Sequence, residues 1–129
     1  MFDHVALPVS DLDASSAFYR TVLAPLGFAQ SADGEYVEFG ALSLGRGEPP
    51  RPPLHLAFIA ETREAVDAFH AAGIAAGYRD NGPPGIREYA TDYYAAYLLD
   101  PDGHNIEAVH RSPETRVDWN WLGAGLVRP

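Results

Sequence analysis

Apolar positions along the chain fall into two periods. In "HVALPV", residues 4 to 9, Val5, Leu7 and Val9 alternate with His4, Ala6 and Pro8, the two-residue period of a strand. From Leu12 the period lengthens. Leu12, Ser15, Ser16, Phe18, Tyr19, Val22, Leu23 and Leu26 recur at three-to-four spacing, which predicts an amphipathic helix capped by Ser10 or Asp11 and stopped near Pro25 and Gly27. "YVEFG" and "LSLGRG" read as short strands around Gly40, and "GEPPRPP", residues 47 to 53, continues neither a helix nor a ladder. The pattern then restarts. "HLAFIAETREAVDAFHAAGIAAG" predicts a strand opening on His55, then a helix capped by Thr62 and closed by Gly73. "YRDNGPPGIRE" predicts a hairpin region, and "DPDG" a turn between antiparallel strands near 93 to 99 and 104 to 110.

Each half thus reads strand, helix, then three short strands. A shift of 51 (55 minus 4) lays His55 on His4, Leu56 on Val5, Phe58 on Leu7, Ala65 on Ala14 and Phe69 on Phe18 without a gap. Shared amphipathicity accounts for the apolar matches. It does not account for two histidines on the same face of the same strand.

Strand alternation decides what that face looks at. If Val5, Leu7, Leu56 and Phe58 pack on helices, His4 and His55 face the other side, with small alanines beside them. On the last strand Ile106 and Ala108 take the helix side, which turns Glu107 the way the histidines point. Two imidazoles and a carboxylate converging from three strands form the facial set that holds a divalent metal and leaves positions open for substrate. Singly, a strand histidine more often satisfies a local hydrogen bond and a strand glutamate is more often solvated. The repeat and the shared face favour the three together. Tyr97 faces the same way by parity and is a candidate catalytic donor to a substrate oxygen, against the plainer role of filling the wall. Arg79 and Arg87 are candidates to meet an anionic substrate. His70 is expected exposed or half packed, His104 and His110 in turn or surface roles, and Trp119 and Trp121 over the cleft edge or a partner subunit.

Composition narrows the chemistry. The 129 residues suit one compact unit, 47% hydrophobic, and the formal charge of −9 argues against nucleic acid and anionic membranes as partners. All nine basic residues are arginines, which removes Schiff-base and P-loop lysine chemistry. The absence of cysteine removes disulfides, thiolate nucleophiles and zinc-thiolate sites. Any metal must sit on histidine and carboxylate. No signal-peptide pattern or long apolar run is present, so a cytoplasmic location is expected.

The segments "DHVALPVSDLDASSAFYRTVLAPLGF", "HLAFIA" and "LLDPDGHNIEAVH" resemble the vicinal oxygen chelate superfamily, the glyoxalase, bleomycin-resistance and extradiol-dioxygenase group. The resemblance implies an α+β fold of two tandem βαβββ modules, a curved mixed sheet around a central cleft, and a homodimer. On this reading residues 1–129 form one domain, with module 1 at 1–48, a linker at 49–53, module 2 at 54–112 and a tail at 113–129. Carried over by position, His4, His55 and Glu107 match the family's first, third and fourth metal positions. Fe2+, Mn2+, Zn2+ and Ni2+ remain equally open. The second position falls on Ser43, where glyoxalase I has a carboxylate that serves metal and proton transfer; Glu38 and Glu48 lie on a different strand and near the linker. The chain therefore departs from lactoylglutathione lyase. A His, His, Glu set is similar to that of the superfamily's dioxygenases, usually longer chains, and of its fosfomycin thiol transferases, which typically use lysine as well as arginine. The function implied is a metal-dependent lyase, isomerase or dioxygenase acting on a small molecule with vicinal oxygens. The alternative is a metal-free sequestering protein of the bleomycin-resistance type.

Overall fold

A computed structural model describes residues 1–111 of the chain. Strands β1 (Val5–Val9), β2 (Gln30–Ala32), β3 (Tyr36–Phe39) and β4 (Leu42–Arg46) form one sheet in the order β1-β4-β3-β2, with helix α1 (Leu12–Leu23) between β1 and β2. Strands β5 (His55–Ile59), β6 (Arg79–Ile86), β7 (Tyr94–Leu99) and β8 (Asn105–His110) repeat that order as β5-β8-β7-β6, with helix α2 (Arg63–Ala75) after β5. In each sheet the first strand pairs parallel to the last and the others are antiparallel. This is the α+β arrangement of two like modules read from the sequence.

The residues that set the helical period in α1 are its buried ones, and Asp11 caps it by accepting from the Ala14 backbone N–H at 3.0 Å. Thr62 caps α2 through its side chain. The expected stop at Gly73 is wrong. Gly73 sits inside α2 against Leu98, where a Cβ would overlap that side chain, and the helix ends beyond it, ahead of Gly77 at φ +90°. The expected hairpin after Tyr78 is instead the single strand β6, which pairs only with β7 through two register shifts. Pro83 and Pro84 have no N–H to offer a second neighbour, so such a strand survives only at a sheet edge.

One hydrophobic core joins the modules. It takes in Leu7, Phe18, Val22 and Leu44 from the first and Phe69, Leu98, Ile106 and Ala108 from the second, with Phe18 edge-on to Tyr78 at 4.8 Å. Polar stitches reinforce it. Buried Tyr19 donates to Asp100 Oδ2 at 2.5 Å, while Asp100 Oδ1 accepts from the Asp102 and His104 N–H groups at 2.9 Å each. Ser10 donates from its backbone and hydroxyl to the Asp102 carboxylate. His104, expected in a turn or at the surface, is fully buried and accepts from the Leu54 N–H through Nδ1 at 2.8 Å.

The helices pack together on the core side, so the opposite faces of the two sheets point away from it. Strands β1 and β5 are both sheet edges. Ile59 on β5 is 75% exposed.

Candidate metal centre

The face of the second sheet turned from the core carries the chemistry. Cross-strand register sets Ala57, Glu107 and Tyr97 in one row, with His55 two residues before Ala57 on the same side. Glu107 is fully buried, and an ionised carboxylate in that position costs several kcal/mol unless its oxygens are partnered. Both are. His55 Nε2 lies 2.7 Å from Oε1, and the Tyr93 hydroxyl donates to Oε2.

A second cluster of buried aromatics covers this row. Tyr89 and Tyr93 meet edge to face at 5.1 Å and pack with Tyr97 and Val109. Burial, then the Glu107 charge, then the hydrogen bond to it raise the Tyr93 phenol far above its ordinary pKa. Burial and the Glu107 charge do the same to Tyr97, helped by Tyr89 and Tyr93. Both phenols stay protonated; Tyr93 donates to Glu107, and the buried Tyr97 hydroxyl has no hydrogen-bond partner among the described residues. The Arg87 guanidinium lies 5.2 Å above the Tyr97 ring and donates to Pro83 O at 2.7 Å. Gly82, at φ +150°, leaves room for the ring, since a Cβ there would come within 2.8 Å of Tyr97 Cδ1.

The first sheet offers a recess of about 440 Å3 whose lining includes His4, Ala6, Tyr36, Glu38 and Ser43. Register aligns Ala6, Ser43 and Glu38 in the row that corresponds to Ala57, Glu107 and Tyr97. Glu38 is therefore the counterpart of Tyr97, and Ser43 of Glu107.

Of the residues singled out from sequence, His55, Glu107 and Tyr97 come together, and Arg87 stands beside them. His4 does not join them. It is exposed on the other module, with Nδ1 2.8 Å from Asp3 Oδ1, and no cluster of three metal-binding side chains exists among the described residues. Arg79 is exposed at the start of β6. His70 is half-buried, 2.9 Å from Asp80, and His110 Nδ1 meets Ala60 O at 3.0 Å. Trp119 and Trp121 lie outside the described residues. Sequence reasoning missed the Tyr93 contact. The signal was its shared parity with Tyr97, but only the β7–β8 register and the preceding loop bring its hydroxyl to Glu107.

The His55–Glu107 pair fits a divalent ion. Two ligand atoms each about 2.1 Å from such an ion, at right angles, stand about 3.0 Å apart, so the observed 2.7 Å needs only a few tenths of an ångström of opening. One imidazole and one carboxylate are also the ligand types such ions accept from a chain without cysteine.

Comparisons with known proteins agree with the fold. The family model described as Glyoxalase/Bleomycin resistance protein/Dioxygenase superfamily matches residues 1–108. A metallothiol transferase FosB from Shouchella clausii is 30% identical over 113 residues, covering 81% of this chain and 76% of its own. The crystal structure of a glyoxalase/bleomycin resistance protein from Albidiferax ferrireducens is 40% identical, with a TM-score of 0.68 over 87% of this chain and 99% of that one. The fosfomycin resistance protein FosX from Mesorhizobium loti shares the fold at 18% identity and a TM-score of 0.66, over 88% of this chain and 93% of its own.

Proposed function

Starting from a chain that belongs to the glyoxalase/bleomycin resistance protein/dioxygenase superfamily, we propose that it is a metal-dependent enzyme acting on a small molecule with adjacent oxygen donors. The observation that carries this reading is Glu107, a fully buried carboxylate held between His55 and Tyr93 on the sheet face turned from the core. An imidazole and a carboxylate side by side are ligand types that a divalent cation takes. His55 and Glu107 would hold Fe2+, Mn2+, Zn2+ or Ni2+, and His4 of a second protomer would complete the set. Exposed His4 at the β1 edge, free β5 and exposed Ile59 support a homodimer that joins the two sheet edges across protomers.

A bound divalent ion supplies Lewis-acid polarisation of the substrate's oxygens. The chain's own residues do the rest. Tyr97, kept protonated by burial and by Glu107, donates to a developing oxyanion rather than accepting a proton. Arg87 beside its ring offers a cation to an acidic substrate. The position of Ser43 carries no carboxylate, and the one that row does carry is Glu38, on the strand beside it; a reading of group transfer leans on the thiol-transferase name of the Shouchella relative.

Elemental analysis of protein purified without a nickel column tests the ligands. Wild type is expected to carry about one ion per chain, and His55→Ala to lose it. Equal metal in both would overturn the assignment. The metal-free sequestering reading has one observation in its favour, that His55, Glu107 and Tyr93 already satisfy one another, and a metal-free wild type that still binds small ligands would establish it.

A further inference from the structure

Glu107 has two oxygens, and the structure treats them differently. Oε1 faces His55, near the open side of the sheet, where the imidazole side chain is 23% exposed. Oε2 is turned inward to the Tyr93 hydroxyl, with both residues buried. Tyr93 ends a loop, residues 87–93, that closes on itself. The Arg87 N–H donates to Tyr93 O at 2.7 Å, and the Tyr93 N–H to Ala90 O at 3.4 Å. Asp92, immediately before Tyr93, holds φ +64°, a left-handed conformation that costs a non-glycine residue about 1 kcal/mol. The ring of Tyr93 is fixed edge-on to Tyr89. The phenol position is thus set by the loop rather than by Glu107.

A free carboxylate beside a divalent ion binds through one oxygen or through both. A hydrogen bond that occupies one oxygen removes the second mode and fixes the orientation of the other. We propose that Tyr93 is a positioning residue for the metal centre: its hydroxyl holds Glu107 Oε2, so that Glu107 binds the ion through Oε1 alone. The inference rests on the metal-dependent reading above and adds to it the residue that sets how the carboxylate binds. It makes loop 87–93 part of the centre's construction. A consequence for the reaction is that one more coordination position stays open to the substrate's paired oxygens.

The experiment uses Co2+ alone as probe, added to metal-free protein, with visible absorption as the readout. Tyr93→Phe keeps the ring against Tyr89 and removes only the hydroxyl. It is expected to bind Co2+ about 10- to 100-fold more weakly and, at saturation, to show the weaker d–d bands of a higher coordination number. Tyr94→Phe is the control, because Tyr94 donates to Asp67 on the opposite side of the strand, and it is expected to match wild type. A purely structural role for Tyr93 would lower thermal stability without changing the saturated spectrum. Wild-type affinity and spectrum in Tyr93→Phe, or a changed stability with an unchanged spectrum, overturns the proposal. Should the variant not fold, a crystal structure of Co2+-loaded wild type decides: Oε2 still on Tyr93 supports the proposal, and Oε2 on the ion overturns it. Failure of wild type itself to bind Co2+ is a separate result, which removes the metal-dependent reading and the role of Tyr93 with it.

Discussion

If one protomer supplies His4 and the other His55 and Glu107, two inactive variants should restore each other. His4→Ala and His55→Ala are each expected to lose metal at both sites of a homodimer. In a heterodimer of the two, one site inherits both defects and the other inherits none. Tandem purification of differently tagged chains should therefore yield dimers with about half the wild-type metal, and an unsorted equal mixture about a quarter, since about half of its dimers are mixed. The folding cost differs between the variants. His4 is exposed and its hydrogen-bonding partner Asp3 is more exposed still, so His4→Ala should change stability by less than about 0.5 kcal/mol. His55→Ala strips a partner from buried Glu107 and should cost about 1–3 kcal/mol, which thermal denaturation will register. Metal per dimer is measured by elemental analysis after size-exclusion chromatography. A heterodimer that recovers no metal refutes the shared site, and a His4→Ala homodimer with full metal refutes His4 as a ligand.

Other expectations concern the frame around the site. Tyr19→Phe leaves Asp100 Oδ2 without its buried donor and should cost about 1.5–3 kcal/mol, lowering the melting temperature by roughly 5–12 °C for a domain of this size. Gly82→Ala places a Cβ 2.8 Å from the Tyr97 ring at a φ of +150°, and should destabilise by about 1–3 kcal/mol while shifting Tyr97 resonances in NMR spectra. The carboxyl of Asp80 is held below its usual range, first by the hydrogen bond to His70 and then by the Gly82 N–H. Its contribution to stability is present above the ordinary carboxylate pKa and fades as pH falls through the lowered value. In His70→Ala, NMR titration should find the Asp80 pKa moved back up, and an unchanged value would rule out the imidazole as the main cause.

The face of each strand was legible because side-chain direction has a period of two. Ile106 and Ala108 on the core side leave Glu107 no choice, and the same parity turns Tyr97 with it. Helix α1 was legible down to its buried positions because Leu12, Phe18 and Val22 fall on one 3.6-residue face. Boundaries set by contacts far away in sequence were not. Gly73 reads as a stop until Leu98 is seen packed on it, and Pro83 and Pro84 read as a turn until β6 is found at an edge. The site divides along the same line. His55 and Glu107 share a face by strand parity, which the sequence shows, and meet because β5 pairs with β8, whereas the approach of Tyr93 depends on a loop closed by its own backbone. The separation of His4 follows from how the two modules pack, and no local pattern encodes that.

The stitches between modules bear on which competing topology the chain avoids. Rotating the modules within one chain until His4 faces His55 would split the joint core, strip Tyr19 from Asp100 and free Ser10 from Asp102. Those losses together penalise the self-closed form, so the DPDG turn works as a latch. It holds the two sheet faces outward, and on the homodimer reading proposed above each would close against another chain.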